Sequence, residues 1–307
     1  MRPPPEIVNS VFNTVCDYRC RFCSHSIPGA KTSCWSYEDV ISGLGTLWDG
    51  AKLINISGCG EVTVVPYFEK LMDYLSAKPG RVCFSTNGYN IDPERLRARR
   101  LDHVVFSVHS LTPAIYDYLT GTEGRLPRVL ENVRAMALLP RDYRVVITSV
   151  VTAMNVGESA ALAEFASSIG ADEMRFLPLA DPVQVGLGSY GPGIALPETT
   201  ENLDAVRDAG LAMTDDGKVA RQLLSREGRR EKVTAEMHDC QSPAGQIVIN
   251  MDGEVQPCCF IPPIYGFGNV LKTPWQEIWD GLRYEEFRGQ VASGKCGLCL
   301  QHCMNWG

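Results

Sequence analysis

Hydrophobic positions along the first 180 residues switch period repeatedly. Short β-branched runs at 6–15, 52–57, 81–85, 102–108, 144–151 and 173–177 read as buried strands. Between them, residues 36–48, 66–77, 93–100, 113–119, 127–139 and 158–169 read as helices. The first of these carries its own start signal, Ser36 as N-cap with Asp39 in the capping-box position. Strand and helix alternating at this pitch predict a parallel sheet with crossover helices. Six units rather than eight predict an α/β fold built as an open, partial (β/α)6 barrel.

Beyond residue 180 the pattern changes. Residues 181–197 are rich in glycine and proline and read as a loop. Residues 203–236 are charged and helical in pattern, a lid across the barrel mouth or a solvated linker helix. Two short apolar runs around Asp252-Gly253 then signal a hairpin over 246–256, and a helix is expected over 275–291. The organisation expected is therefore a barrel over 1–180, a linker and lid helix over 181–239, and a small domain over 240–307.

A length of 307 residues fits one large domain plus a smaller one. The net charge of −7 argues against a phosphate-binding surface, hence against a nucleic-acid partner, and suits a cationic substrate. Met1-Arg2-Pro3-Pro4-Pro5 has no apolar signal region, and no run of about 18 apolar residues follows. The expected location is cytoplasmic, with no membrane partner. Twelve cysteines in such a chain point to metal or redox chemistry rather than disulfides.

The cysteines are patterned. Cys16, Cys20 and Cys23 form a CxxxCxxC loop at the C-terminal end of the first strand, where parallel α/β folds bind ligands. Three soft thiolates suit an iron–sulfur cluster and are one short of a closed four-thiolate site; a zinc loop or redox thiols are the alternatives. After the second strand, Gly58-Cys59-Gly60-Glu61 is a tight turn whose carbonyls and carboxylate could accept from an ammonium, or a generic turn. Ser85, Asn87, Ser107 and Thr148 stand at or near strand ends, as cavity lining or as caps. His109 reads first as a structural histidine. Arg175, costly to bury unpaired, is expected to face a carboxylate or the substrate. Cys34, Cys59 and Cys83 read as packing.

A second set, Cys240, Cys258, Cys296 and Cys299, surrounds the expected hairpin and helix, and Cys303 is an alternative to Cys299. Four thiolates satisfy a closed cluster, and equally a structural zinc ion. Cys259 is left over. On an extended chain it points away from Cys258.

The CxxxCxxC loop, the Gly60-Glu61 turn and the C-terminal cysteines together resemble the radical S-adenosylmethionine (SAM) family with a SPASM- or twitch-type extension. The resemblance implies two [4Fe–4S] clusters and SAM as cofactors. Cys16, Cys20 and Cys23 would hold the first cluster, and Cys240, Cys258, Cys296 and Cys299 the auxiliary one. Phe22 would pack near adenine, Gly60 and Glu61 would hold the SAM amino group, and Ser85, Asn87, Ser107 and Thr148 would contact its carboxylate and ribose. An external donor such as flavodoxin or ferredoxin would supply electrons. Within the family the size and single auxiliary cluster resemble the aminoglycoside-tailoring members, neomycin C epimerase and 2-deoxy-scyllo-inosamine dehydrogenase. With Cys259 as a thiol able to return hydrogen, this implies epimerisation of a cationic aminoglycoside or aminocyclitol. Dehydrogenation through the auxiliary cluster, peptide epimerisation and plain electron carriage are the other readings.

Overall fold

The computed structural model describes residues 2–26, 30–179, 194–195, 242–258 and 266–293. Six strands run parallel in chain order: β1 (Ile7–Ser10), β2 (Leu53–Asn55), β3 (Arg81–Thr86), β4 (Leu101–Ser107), β5 (Arg144–Val151) and β6 (Glu173–Pro178). Helices α1 (Tyr37–Leu44), α2 (Phe68–Ser76), α3 (Pro93–Arg97), α4 (Pro113–Thr120), α5 (Leu126–Ala137) and α6 (Ser159–Ser168) connect them. Sequential order with helical crossovers is the topology of a (β/α) barrel, and with β6 at one end of the sheet and a short C-terminal strand at the other it stays open.

Alternation along the strands sorts the residues. Val8, Ile54, Phe84, Phe106 and Ile147 are at most 1% exposed and belong to one apolar core. Each such side chain contributes about 1.5–3 kcal/mol by leaving water. The opposite face, the concave side of an open (β/α) barrel, mixes polar side chains with buried Val105 and Val146. Register places Asn9, Asn55, Cys83, His103 and Arg144 in one row and Ser107, Thr148 and Arg175 in another. Arg175 meets a carboxylate, as expected: its Nε and Nη2 donate to Glu173 Oε1 and Oε2 at 2.6 and 2.8 Å.

Several boundaries differ from the expected ones. β1 ends at Ser10 rather than residue 15, because the chain leaves the sheet to pair Asn13 with Cys34. Ser36 does cap α1, its hydroxyl accepting from the Asp39 N–H at 3.0 Å, but the helix stops at Leu44, before Gly45. The C-terminal helix is broken at Asp280-Gly281 into α8 (Trp275–Trp279) and α9 (Leu282–Ala292).

The C-terminal region joins the barrel sheet directly. A single turn, α7 (Ser242–Gly245), leads into β7 (Gln246–Ile249), which lies parallel to β1 with Ile7 opposite Gln246. β8 (Val255–Gln256) returns antiparallel, through a turn in which Gly253 adopts φ +83°, a conformation that favours glycine. The N-terminal arm ties this region down: Trp279 Nε1 donates to the Pro3 carbonyl at 3.1 Å, and Arg2 pairs with Glu285. Among the described residues no helix is long and apolar enough to cross a membrane. The expected helix over 203–236 lies outside the described residues.

Candidate active site

The CxxxCxxC loop leaves β1 at the C-terminal end of the sheet and is held by backbone bonds to α4. Arg19 N–H donates to the Thr120 carbonyl at 3.0 Å and Arg21 N–H to the Leu119 carbonyl at 2.9 Å. The approach is so close that a side chain on Gly121, itself at φ +64°, would sit 2.5 Å from the Arg19 carbonyl oxygen. Within the loop, Cys23 N–H donates to the Cys20 carbonyl, and Tyr18 N–H points to Cys16 Sγ at 3.4 Å. Tyr18 is buried and its hydroxyl meets that of Tyr116 at 3.1 Å.

All three thiols are partly exposed. Burial pushes Cys16 up to about 11 and pushes Cys20 up as well, so metal binding must displace their protons. Among the described residues no three such groups converge on one ion. A cluster does not require that, since each thiolate takes a different iron. Three thiols on one anchored loop fit three irons of a [4Fe–4S] cluster and leave the fourth open.

The Gly58–Glu61 turn packs onto the base of this loop. Gly60 N–H donates to the Asn13 carbonyl and Glu61 N–H to the Val15 carbonyl, while Asn13 Nδ2 bridges the Val15 and Glu61 carbonyls. A Cβ on Gly60 would lie 2.4 Å from the Val15 carbonyl oxygen, so only glycine fits.

Glu61, expected to accept from the SAM ammonium, is engaged by the protein's own groups. Its side chain is buried and accepts four hydrogen bonds from the protein itself. Oε1 takes the Thr63 N–H, the Thr63 hydroxyl and the Thr86 hydroxyl at 3.1, 2.8 and 2.8 Å; Oε2 takes the Asn87 N–H at 2.6 Å. Burial pushes its carboxyl up, opposed by these four bonds. Asn87 is committed likewise: its Nδ2 donates to Asp17 at 2.9 Å and its Oδ1 accepts from Tyr89 N–H.

The other expected contacts spread over the same end of the sheet. Phe22 is half-buried and packs edge-on to His109, ring centroids 4.8 Å apart. Ser85 is exposed beside Ser57, with hydroxyls 3.5 Å apart. Ser107 and Thr148 face each other across β4 and β5. His109 is structural, as expected. Its Nδ1 accepts from Val150 N–H at 3.1 Å, and burial lowers its pKa to about 4, so the ring is neutral. Cys83 is buried, but Cys59, expected as packing, is exposed at the crest of its turn.

Of the second cysteine set, Cys258 follows β8 and is partly buried. Cys240, Cys296 and Cys299, with Cys259 and Cys303, lie outside the described residues.

Against known proteins, the model of the radical SAM superfamily matches residues 10–165, half of the chain. The chain belongs to the radical SAM superfamily. A SPASM iron–sulfur cluster-binding domain matches residues 240–304. As a radical SAM protein with this extension it takes SAM and [4Fe–4S] clusters, one of them auxiliary. Mycofactocin maturase MftC of Mycobacterium tuberculosis is 30% identical over 302 residues, covering 92% of this chain and 73% of the relative. Among solved structures, SuiB of Streptococcus suis bound to precursor peptide SuiA aligns with a TM-score of 0.69 at 16% identity, covering 98% of this chain and 72% of SuiB. BtrN in complex with AdoMet and 2-DOIA aligns with a TM-score of 0.50 at 15% identity, covering 98% of this chain and 93% of BtrN.

Radical SAM membership could be read from the sequence. The role of Asp17 could not, since its three side-chain partners stand 70, 73 and 108 residues away.

Proposed function

We propose that this radical SAM enzyme modifies a peptide, abstracting hydrogen from an unactivated carbon of one residue. The observation that carries this reading is the 30% identity to a maturase, sustained over 92% of the chain and through the SPASM region. The likeness in fold to SuiB, solved with a precursor peptide bound, supports it. The expectation of an aminoglycoside substrate gives way on this ground. The net charge of −7 suits a basic peptide segment as well as an aminosugar.

When bound, SAM and the reduced N-terminal cluster supply a 5′-deoxyadenosyl radical that takes a hydrogen atom from carbon. The chain's own residues do the rest. Cys16, Cys20 and Cys23 hold three irons, the Gly58–Glu61 turn fixes the loop from below, and the polar rows on the concave face receive the substrate. Gly60, Phe22, Ser85, Ser107 and Thr148 are the proposed SAM-side contacts, with Glu61 and Asn87 ordering the loops around them. Cys240, Cys258, Cys296 and Cys299 hold the auxiliary cluster, and Cys259 is the proposed thiol that returns hydrogen if the outcome is inversion. Flavodoxin or ferredoxin supplies electrons in a reducing cytoplasm.

The second reading, epimerisation or dehydrogenation of an aminocyclitol, is favoured by the likeness to BtrN, solved with 2-DOIA. Anaerobic incubation of reconstituted, reduced protein with SAM separates the two. One arm contains a library of short peptides and the other a panel of aminoglycosides, with 5′-deoxyadenosine and product masses measured in H₂O and D₂O. Changed peptides and unchanged aminoglycosides are expected. The reverse would replace the peptide reading by the second. Inversion would show as one deuterium at unchanged composition, and dehydrogenation as a loss of two mass units.

A further inference from the structure

A carboxylate is built into the cluster loop itself. Asp17, next to Cys16, is only 21% exposed in its side chain, and three donors from elsewhere in the fold converge on it. Asn87 Nδ2 and Asn90 Nδ2, from the turn after β3, donate at 2.9 and 2.8 Å. Arg125 Nη1, from the start of α5, donates to Oδ2 at 2.5 Å and to the Asp17 carbonyl at 3.2 Å. The guanidinium lies against two aromatic rings, 5.0 Å from the centroid of Tyr18 and 4.5 Å from that of Tyr89. Tyr18 is in the loop and Tyr89 in the turn, so Arg125 is gripped by both partners it joins.

A loop that presents three thiolates to iron is already electron-rich, and an added carboxylate beside Cys16 opposes reduction of whatever it holds. The charge of a site and the groups around it are what set cluster potentials. Partial burial weakens solvent screening, so a single nearby charge counts for more than at an open surface. We propose that Asp17 and Arg125 act as an opposed charge pair that sets the reduction potential of the cluster held by Cys16, Cys20 and Cys23. Arg125 is a positioning residue that cancels the Asp17 charge while pinning the loop to the turn that also engages Glu61. The inference rests on membership of the radical SAM superfamily and is independent of the substrate.

Opposite signs give the test. Full-length protein is reconstituted anaerobically, and the cluster whose EPR signal changes on adding SAM is titrated against solution potential, with iron counted in every sample. Asp17→Asn keeps an acceptor and removes the charge, so the reduced-to-oxidised ratio at fixed potential should rise about tenfold. Arg125→Met leaves the carboxylate uncompensated, so the ratio should fall by about the same factor. A tenfold change is 59 mV for one electron. Arg125→Lys should stay within about threefold of wild type, and the double variant D17N/R125M should return toward it. A purely structural role would change iron content or move both single variants in one direction. Should R125M fail to load iron, D17N and R125K decide alone. An unchanged potential in iron-replete D17N, or a fall in it, overturns the proposal.

Discussion

Glu61→Gln is the substitution that best separates a ligand-facing carboxylate from one that organises the protein. The amide has nearly the shape of the carboxylate but one of its two termini is a donor. Set at the Oε2 position, the NH₂ group meets the Asn87 N–H, a donor 2.6 Å from that oxygen, and the pair repels. Set at Oε1, it meets the Thr63 N–H, which cannot turn away, as well as two hydroxyls that can. Either way one buried backbone N–H loses a charge-assisted bond worth roughly 1.5–3 kcal/mol. Each kcal/mol shifts the melting temperature by about 2–4 °C in a domain of this general size, so metal-free protein should melt about 5–10 °C lower. Glu61→Ala strands both backbone donors and should cost more, about 4 kcal/mol. The assay is thermal unfolding of the metal-free protein followed by circular dichroism, with SAM affinity of the reconstituted protein measured alongside. A melting temperature within 1–2 °C of wild type, together with weakened SAM binding, would overturn this role for Glu61. Glu61 would then be turned to the ligand and its four bonds would contribute little.

Reconstituted protein should hold about eight irons, and changing Cys16, Cys20 and Cys23 together to Ala should leave about four and abolish SAM cleavage; iron analysis and 5′-deoxyadenosine assay check both. Gly60→Ala would place a Cβ 2.4 Å from the Val15 carbonyl oxygen, so iron bound by the N-terminal loop should fall while the C-terminal complement is kept. His109 binds its proton near pH 4 when folded and near 6.5 when unfolded, so the unfolded chain takes up the proton first as pH falls. Its contribution is complete above pH 6.5 and is lost toward pH 4. Between pH 7 and 5 it should account for about 2 kcal/mol in urea unfolding, and His109→Gln should flatten that part of the profile.

How much of this was legible depends on how local each determinant is. The strand β5 runs from Arg144 to Val151 just as its β-branched run does, because the run is uninterrupted and bounded by polar turns. The cap of α1 is local too, Ser36 to Asp39. The thiol spacing Cys16, Cys20, Cys23 is local, and it carried the family. The stop of α1 at Leu44 was not legible, since Leu47 and Trp48 continue the apolar pattern into a separate 3₁₀ turn. Least legible were long-range commitments. Glu61 reads as a free carboxylate after a glycine turn, and only the fold brings Thr86 and Asn87 onto it. The parallel pairing of β7 with β1, across more than 230 residues, leaves no trace in either strand's own pattern.

That pairing has a mechanistic consequence. β7 runs parallel to β1, so both point toward the end of the sheet where the cluster loop emerges. β8 reverses direction, with Ile249 opposite Val255 and Val248 opposite Gln256. Continued in extended form by two residues, this register would bring Cys258 level with Gln246 at the start of β7, which pairs with Ile7 at the start of β1. Cys16 lies nine residues beyond Ile7, past the strand's C-terminal end. At about 3.3 Å of rise per strand residue, the sheet alone separates the two thiols by about 10 Å, and the loop adds to that. With Cys258 as the proposed auxiliary ligand, the auxiliary and SAM-binding clusters would be fed from opposite ends of one sheet. The surface between them is the concave face, which carries Asn9, Asn55, Ser107, Thr148 and Arg175. Cys258→Ala should accordingly leave the N-terminal cluster, its SAM binding and SAM cleavage intact while lowering iron content and product formation. If loss of Cys258 instead removed the SAM-responsive EPR signal, the two sites would not be separate, and this placement would be wrong.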